Sequence, residues 1–199
     1  MIPEKIREMR ADLWVFDNDG TLYDNPMELE VAVGERMNEY IASHYHISKK
    51  DAKEKRRELL KKHNTKYTLI AVRQEGISED DFIQKTYLSI NPVDFGIMPS
   101  TELRDLIGSL AGEKVVLTNN PSEFAGLILE ALGIKYLFSQ IIGMRERDYV
   151  QKPEIDAFKF LSCWLKNAKV VVVIDDCLDN IKCAESLGCA TLLAKGGTP

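Results

Sequence analysis

The chain has 199 residues, of which 45% are hydrophobic and 29% are charged, and its formal net charge is −5. This composition is typical of a globular protein and excludes disordered, collagen-like and low-complexity architectures. The acidic balance argues against a nucleic acid polymer as the main partner. The apolar runs are far shorter than the roughly 20 residues of a membrane-spanning helix. Because no apolar signal region follows the first residues either, we expect a cytoplasmic protein that does not associate with membranes.

Short apolar runs bounded by turn residues predict strands that are buried on both faces of a parallel sheet. These runs cover residues 13–16, 114–117, 138–142, 170–174 and 190–193. Helical patterns lie between the later runs, at residues 122–132, 154–164 and 178–187. The alternation predicts an α/β fold, a Rossmann-like parallel sheet covered by helices on both faces.

The segment between the first two predicted strands contains no strand-like run. Instead, helical patterns cover residues 27–43, 48–62, 68–74 and 79–88, with Ser48 and Ser78 as candidate N-caps. A segment of this length is too long for a loop. We therefore expect an inserted all-helical cap domain at residues 25–95 and a core formed by residues 1–24 and 96–199.

The cysteines and histidines exclude several kinds of site. No CxxC pair is present, so the sequence does not favour zinc, and we expect reduced, buried thiols. All three histidines, His44, His46 and His63, fall in the insert, so none is expected at the edge of the sheet. Near the C-terminus, Gly196-Gly197 predicts a turn.

Polar side chains follow the predicted strands at the points where the strands end, and a lysine precedes the helix after the third strand. These residues are Asp17, Asp19, Thr118, Asn119, Lys152, Asp175 and Asp176. Because the carboxyl ends of parallel strands meet at one edge of a sheet, we expect them to converge there. Carboxylates so close together need a cation. Their hard oxygen ligands favour Mg²⁺.

These segments resemble the motifs of the haloacid dehalogenase superfamily in their order and position. Phe16-Asp17-Asn18-Asp19-Gly20-Thr21-Leu22-Tyr23 resembles the first motif, and Thr118 after Val115-Val116-Leu117 resembles the second. Lys152-Pro153 and Ile174-Asp175-Asp176 resemble the third and fourth. Four motifs in register are a far more specific signal than a single DxD pair.

The resemblance implies a magnesium-dependent phosphomonoesterase. Asp17 would be the nucleophile that forms an aspartyl-phosphate. Asp19 would be the acid that protonates the leaving alcohol and then the base that activates water. Both residues would also hold Mg²⁺, Asp19 through its backbone carbonyl.

The same resemblance assigns the other motif residues. Thr118 and the adjacent Asn119 would bind phosphate oxygens, and Lys152 would neutralise charge on the phosphoryl group. Asp176 would be the main metal ligand of the fourth motif, with Asp175 beside it.

A shorter match suggests the pyrimidine 5′-nucleotidase-like branch of this superfamily. The run from Thr68 to Arg73 with Gly76, and the run from Asp175 to Ile181, are similar to that branch. The partner would then be a small phosphorylated metabolite, a nucleoside 5′-monophosphate with a pyrimidine base favoured. Thr68 and Arg73 would recognise the leaving group, although both could instead simply pack the cap.

Several alternatives remain open at this point. A dehalogenase would share Asp17 but would not use Asp19, whereas a sugar-phosphate phosphatase or phosphomutase shares all four motifs. A receiver-like, non-catalytic phosphate-binding domain has similar residues in another order and lacks a helical insert.

Residues 49–62 carry eight basic and three acidic side chains. This run indicates either a solvated helix face or a positive electrostatic field that steers a phosphorylated substrate.

Overall fold

The structure is a computed structural model that describes residues 2, 4–167 and 169–194. The turn predicted at Gly196-Gly197 lies outside these residues. The chain forms two compact units. The first, here called the sheet unit, comprises Met1–Asn25 and Gly96–Pro199, and the second, the helical unit, comprises Pro26–Phe95.

The helical unit contains the helices α1 (Met27–Tyr45), α2 (Lys49–Lys62), α3 (Thr68–Gln74) and α4 (Glu79–Lys85). The predicted N-caps are confirmed, since the Ser48 and Ser78 hydroxyls accept hydrogen bonds from backbone N–H groups three residues on. The fourth helix is shorter than predicted and is followed by a 3-10 helix at Tyr87–Ser89. At its end the Thr86 hydroxyl donates a 2.6 Å hydrogen bond to the carbonyl of Phe82, a local contact that competes with helix continuation.

In the described residues, the strands of the sheet unit form one five-stranded parallel sheet in the order β3-β2-β1-β4-β5. The strands are β1 (Leu13–Phe16), β2 (Glu113–Leu117), β3 (Gln140–Ile142), β4 (Val171–Asp175) and β5 (Ala190–Leu193). Every residue of β1 and β4 is buried, because both strands lie inside the sheet and bury both faces. The predicted α/β fold is confirmed.

The helices of the sheet unit are α5 (Thr101–Ser109), α6 (Ser122–Ala131), α7 (Ser162–Lys166) and α8 (Leu178–Ser186). We did not predict α5 from the sequence, although Leu103, Leu106 and Ile107 have the spacing of one helix face; Ile107 is the only buried residue of the helix. The helix predicted at 154–164 was wrong in type, since it is a 3-10 helix at Ile155–Leu161 followed by α7. Both helix types place Phe158 and Leu161 on the buried side, so the apolar pattern does not distinguish them.

The structure can be compared with the expectations about the cysteines and about membrane-spanning helices. The expectation of buried thiols was wrong for Cys163 and Cys177, which are exposed, and right for Cys189. Within the described part of the chain, none of the helices combines the length and apolar character that a membrane-spanning helix requires.

Candidate active site at the carboxyl edge of the sheet

Asp17 follows β1 directly and is held against the neighbouring strand. Its backbone N–H donates a 2.8 Å hydrogen bond to the carbonyl of Ile174, which continues the sheet ladder beyond β1. The Thr21 hydroxyl donates to Asp17 Oδ2 at 3.1 Å, and Lys152 Nζ donates to Asp17 Oδ1 at 2.7 Å. Because Asp17 is only 7% exposed, these contacts determine where its carboxylate points.

Lys152 is a buried ammonium that bridges two carboxylates from different strands. Its Nζ atom lies 2.7 Å from Asp17 Oδ1 and 2.7 Å from Asp175 Oδ2. Burial alone lowers the pKa of Lys152, but the two carboxylates outweigh this effect and raise the pKa above its ordinary value. Burial raises the pKa of Asp17, Lys152 opposes that rise, and the Asp175 and Asp19 carboxylates add to it. Lys152 therefore remains charged in a site where negative groups are crowded.

The two carboxylates of the fourth motif differ in their surroundings. Asp175 is buried, and its oxygens accept hydrogen bonds from the Cys177 N–H at 2.9 Å and from Asn180 Nδ2 at 2.9 and 3.0 Å, besides the contact with Lys152. Asp176 is half-buried. Burial raises the pKa of Asp176, and the adjacent Asp175 carboxylate adds to the rise. Asp175 thus positions Lys152, whereas the carboxylate of Asp176 is the more accessible of the two.

A divalent cation fits the donor set at this edge. Carboxylate oxygens of Asp17, Asp175 and Asp176 lie within 4.8 Å of one another. Gly20 has a φ of +78°, and a Cβ atom there would lie 2.3 Å from Asp176 Oδ2, so only glycine lets the two loops approach this closely. Clustered hard oxygen ligands match the chemistry of Mg²⁺.

Asp19 lies on the same loop as Asp17 but has different partners. Tyr23 donates its phenolic hydrogen to Asp19 Oδ1 at 2.5 Å. The Thr118 hydroxyl donates to Asp19 Oδ2 at 3.3 Å, and Asn120 Nδ2 donates to the same oxygen at 3.0 Å. The structure therefore brings the first and second motifs together, as expected, and holds the Asp19 carboxylate from both sides.

Asn119 was expected to bind phosphate, and the structure shows what its side chain contacts. Its Nδ2 donates to the Lys152 carbonyl at 3.0 Å, and its Oδ1 accepts from the Lys152 N–H at 2.9 Å. The amide therefore connects the loop after β2 to the backbone that carries Lys152. Its contact with phosphate stays a prediction.

The sequence did not identify Arg147 as part of the site. The guanidinium of Arg147 is buried, and its Nη2 donates to the Thr118 carbonyl at 2.5 Å and to Asn119 Oδ1 at 3.2 Å. Its Nε donates to the Gly143 carbonyl at 3.0 Å. Arg147 thus joins the loops after β2 and β3 and, through Asn119, the backbone of Lys152. In the sequence it stands in a charged run that looks like a solvated turn, so no local signal distinguishes it.

Replacing Arg147 by methionine is expected to lower kcat by about 10- to 100-fold, because small displacements of catalytic groups have large kinetic effects. Arg145→Met is the matched control, since Arg145 is two residues away and forms an ion pair with Glu123. Steady-state kinetics of both variants, with circular dichroism as a check on folding, measures the difference. Equal kcat values for the two variants would show that Arg147 has no positioning role.

The residues predicted to recognise the leaving group lie in the helical unit. Thr68 is buried and its Oγ1 accepts a 2.8 Å hydrogen bond from Arg56 Nε. Arg73 forms an ion pair with Glu79, with 3.2 Å between Arg73 Nε and Glu79 Oε1, and its side chain is 49% exposed. Their roles toward a substrate stay predictions.

Comparisons with known proteins give a family match and similar solved structures. The family model described as haloacid dehalogenase-like hydrolase matches residues 11–188. No curated protein matches the chain. The UTR4 protein of Saccharomyces cerevisiae has a similar structure at a TM-score of 0.59 and 14% identity, over 96% of this chain and 93% of that one.

Two further solved structures are similar. A HAD phosphatase from Thermococcus onnurineus has a TM-score of 0.57 at 18% identity, over 96% of this chain and 89% of that one. The HAD-hydrolase YfnB from Bacillus subtilis, described as bound to magnesium, has a TM-score of 0.54 at 18% identity, over 93% and 89% of the two chains. At these identities the likeness shows the fold alone.

Proposed function

The chain belongs to the haloacid dehalogenase-like hydrolase family, and from this membership we propose that it is a magnesium-dependent phosphomonoesterase that uses Asp17 as its nucleophile. The substrate is a small phosphorylated metabolite. The observation that supports this most strongly is the Lys152 ammonium, which lies 2.7 Å from both Asp17 and Asp175. A buried lysine in this place orients the nucleophile and offers positive charge to phosphoryl oxygens.

The first half of the proposed reaction forms an aspartyl-phosphate. A carboxylate oxygen of Asp17 attacks phosphorus, and the bond between phosphorus and the leaving oxygen breaks. Asp19 in its protonated form gives its proton to that oxygen, so the product leaves as an alcohol. Lys152 and Thr118 stabilise the negative charge on the phosphoryl oxygens.

The second half hydrolyses this intermediate. Asp19, now ionised, removes a proton from water, and the resulting hydroxide attacks phosphorus. The bond between Asp17 and phosphorus breaks, which releases phosphate and restores the Asp17 carboxylate. The three hydrogen bonds that Asp19 accepts from Tyr23, Thr118 and Asn120 support this role, since they hold its carboxylate in place. A dehalogenase would not need this second acid.

Magnesium is proposed as the cofactor, with Asp17, Asp19, Asp175 and Asp176 as the residues that would hold it. When bound, the ion would supply positive charge that screens these carboxylates from one another and from the phosphoryl group. The family membership and the close carboxylate oxygens of Asp17, Asp175 and Asp176 support this assignment.

We expect excess chelator to abolish turnover and added Mg²⁺ to restore it. Asp176→Ala should raise the Mg²⁺ concentration needed for half-maximal activity more than Asp175→Ala does, because the Asp175 oxygens already accept hydrogen bonds from Lys152 and Asn180. Asp179→Ala is the control, since Asp179 is exposed and lies near the start of α8. Full activity in excess chelator would contradict the proposed cofactor.

The proposed substrate is a nucleoside 5′-monophosphate, with a pyrimidine base favoured. The four motifs contact only the phosphoryl group, so discrimination among phosphomonoesters must come from groups that contact the leaving alcohol. Arg73 offers a planar set of donors that can stack on a base or donate to its carbonyl oxygen. Thr68 is the second candidate, although its hydroxyl already accepts from Arg56.

Arg73→Ala is expected to raise KM for nucleotides severalfold and to leave KM for a small aryl phosphate unchanged. A panel of nucleotides and sugar phosphates, assayed by phosphate release, measures the preference. An equal loss on both kinds of substrate would assign Arg73 to the stability of the helical unit, where it pairs with Glu79. If sugar phosphates are hydrolysed faster than every nucleotide, the nucleotidase proposal is wrong and a sugar-phosphate phosphatase or phosphomutase takes its place.

A further inference from the structure

Three helices of the helical unit converge on the guanidinium of Arg56. Arg56 lies on α2, and its Nε donates a 2.8 Å hydrogen bond to Thr68 Oγ1 on α3. Its Nη1 lies 3.2 Å from the Gly34 carbonyl and 3.5 Å from Asn38 Oδ1, both on α1. Gly34 stands inside α1, where glycine costs about 1 kcal/mol relative to alanine. A Cβ atom at Gly34 would lie 3.4 Å from Arg56 Nη1, which is an ordinary van der Waals contact.

Arg56 differs from the other arginines of residues 26–95, all of which the structure describes. Arg36, Arg57 and Arg73 each form an ion pair with a glutamate. Arg56 is more buried than they are, yet no carboxylate of the described residues lies within the 4.0 Å of an ion pair. Its three acceptors are neutral oxygens. A desolvated cation without a counter-charge is unfavourable unless an anion joins it.

The electrostatic surroundings of Arg56 agree with this description. Burial lowers the pKa of Arg56, and the charges of Tyr87 and Glu35 oppose the decrease. The guanidinium therefore stays positively charged at any physiological pH, because arginine is not deprotonated in proteins. The charge is available to an anion.

Hydrogen-bond donors around Arg56 also have unused capacity. Among the described residues, no acceptor is found for Arg56 Nη2, for Asn38 Nδ2 or for the hydroxyl hydrogen of Thr68. Asn38 and Thr68 are only 6% and 4% exposed, but Arg56 Nη2 and Asn38 Nδ2 are not among the fully buried unpaired atoms of the described residues, so solvent or an anion can reach both donors. Three donors from separate groups, beside one positive charge, match the several oxygens of a tetrahedral phosphate group better than a two-oxygen carboxylate.

We propose that Arg56, Asn38 and Thr68 form a binding site for a phosphate group within the helical unit. No residue of the sheet edge takes part, but Thr68 is also the second candidate for leaving-group recognition, so Arg56 rather than Thr68 distinguishes this site from the proposed function. The bound phosphate could be the free ion or part of a larger metabolite, since the recognition chemistry is the same for both.

The first test is a titration of the full chain with inorganic phosphate in the presence of chelator, followed through the arginine Nε–Hε signals by NMR. We expect the Arg56 signal to shift saturably, while the Arg57 signal stays in place because Arg57 is exposed and pairs with Glu54. Chloride at the same ionic strength should move neither signal. An Arg56 signal that moves no more than that of Arg57 would overturn the proposal.

The second test compares phosphate affinities of variants by calorimetry. Arg56→Lys keeps the charge but loses the planar set of donors, so we expect at least about tenfold weaker binding. Arg57→Lys on the same helix is the matched control and should bind as the wild type does. Thr68→Val, which preserves the side-chain shape, should also weaken phosphate binding. This variant replaces Arg56→Lys in the test if Arg56→Lys fails to fold. Equal affinities for all four proteins would overturn the proposal.

The source of the phosphate is resolved in the Asp17→Asn background, where turnover is blocked. There, inorganic phosphate is compared with nucleoside and sugar phosphates, each with and without Arg56→Lys. A larger loss on Arg56→Lys for the esters than for inorganic phosphate assigns the site to the phosphate of a metabolite. The same loss for inorganic phosphate assigns it to the free ion, and no loss for any of them contradicts the proposed site.

Discussion

Asp17→Asn is expected to reduce turnover by at least about a thousandfold, because a neutral amide is a poor nucleophile for phosphorus. Asparagine has nearly the same size as aspartate and still offers an oxygen to Lys152, so the sheet edge should keep its arrangement. Lys152 also retains its second carboxylate partner, Asp175, at 2.7 Å. The expected result is therefore a folded protein without phosphatase activity.

Turnover of a phosphomonoester and the unfolding temperature, measured side by side, check this expectation. Asp24→Asn is a suitable control, since Asp24 follows the same loop and is exposed. In the wild type, acid quenching during turnover should trap phosphate on Asp17, which mass spectrometry of the digested protein detects. Near-normal turnover of Asp17→Asn would show that the nucleophile is another group.

Lys152→Met is expected to cost both stability and activity. The Lys152 side chain is 2% exposed, and those of Asp17 and Asp175 are 9% and 1% exposed. Removing the ammonium leaves two buried carboxylates without their counter-charge, and breaking a buried ion pair from one side costs about 3–5 kcal/mol. Activity should be lost as well, because the phosphoryl oxygens lose the cation that stabilises their charge.

Urea unfolding and steady-state kinetics separate these two effects. Lys159→Met is the control, since Lys159 is exposed and close in sequence. Adding Asp175→Asn to Lys152→Met removes one of the unpaired carboxylates, so the double variant should regain part of the stability but none of the activity. If Lys152→Met unfolds at the wild-type urea concentration, the ion pairs do not stabilise the sheet edge.

The amino-acid sequence by itself determined the sheet and the position of the motif residues. The strands could be predicted because β1 and β4 bury both faces, so nearly every one of their residues must be apolar. Parallel strands end at one edge, and this rule places Asp17, Thr118 and Asp175 there without knowledge of any contact. The helices of the helical unit were predictable because they have apolar faces and because two of them, α2 and α4, carry serine N-caps.

Only the tertiary structure decided which polar groups meet. Lys152 pairs with Asp17 across 135 residues, and Arg147 reaches Thr118 across 29. A lysine or arginine in a polar loop has the same local sequence pattern whether its side chain is solvated or buried. Because the partners of Lys152 and Arg147 are far away in the sequence, the local pattern could not identify them. Arg56 is the same case, since α2 has many basic residues and only packing against α1 and α3 distinguishes one of them.

The irregular elements were also decided by packing rather than by pattern. The segment at residues 155–161 has the apolar spacing of an α-helix but forms a 3-10 helix. Both helix types bury residues three positions apart, so the apolar pattern could not distinguish them. The amide of Asn119 pairs with the backbone of Lys152, a contact that no local sequence pattern predicts. Local sequence specifies which atoms can donate and accept hydrogen bonds, whereas the three-dimensional arrangement selects the partner from groups far apart in the chain.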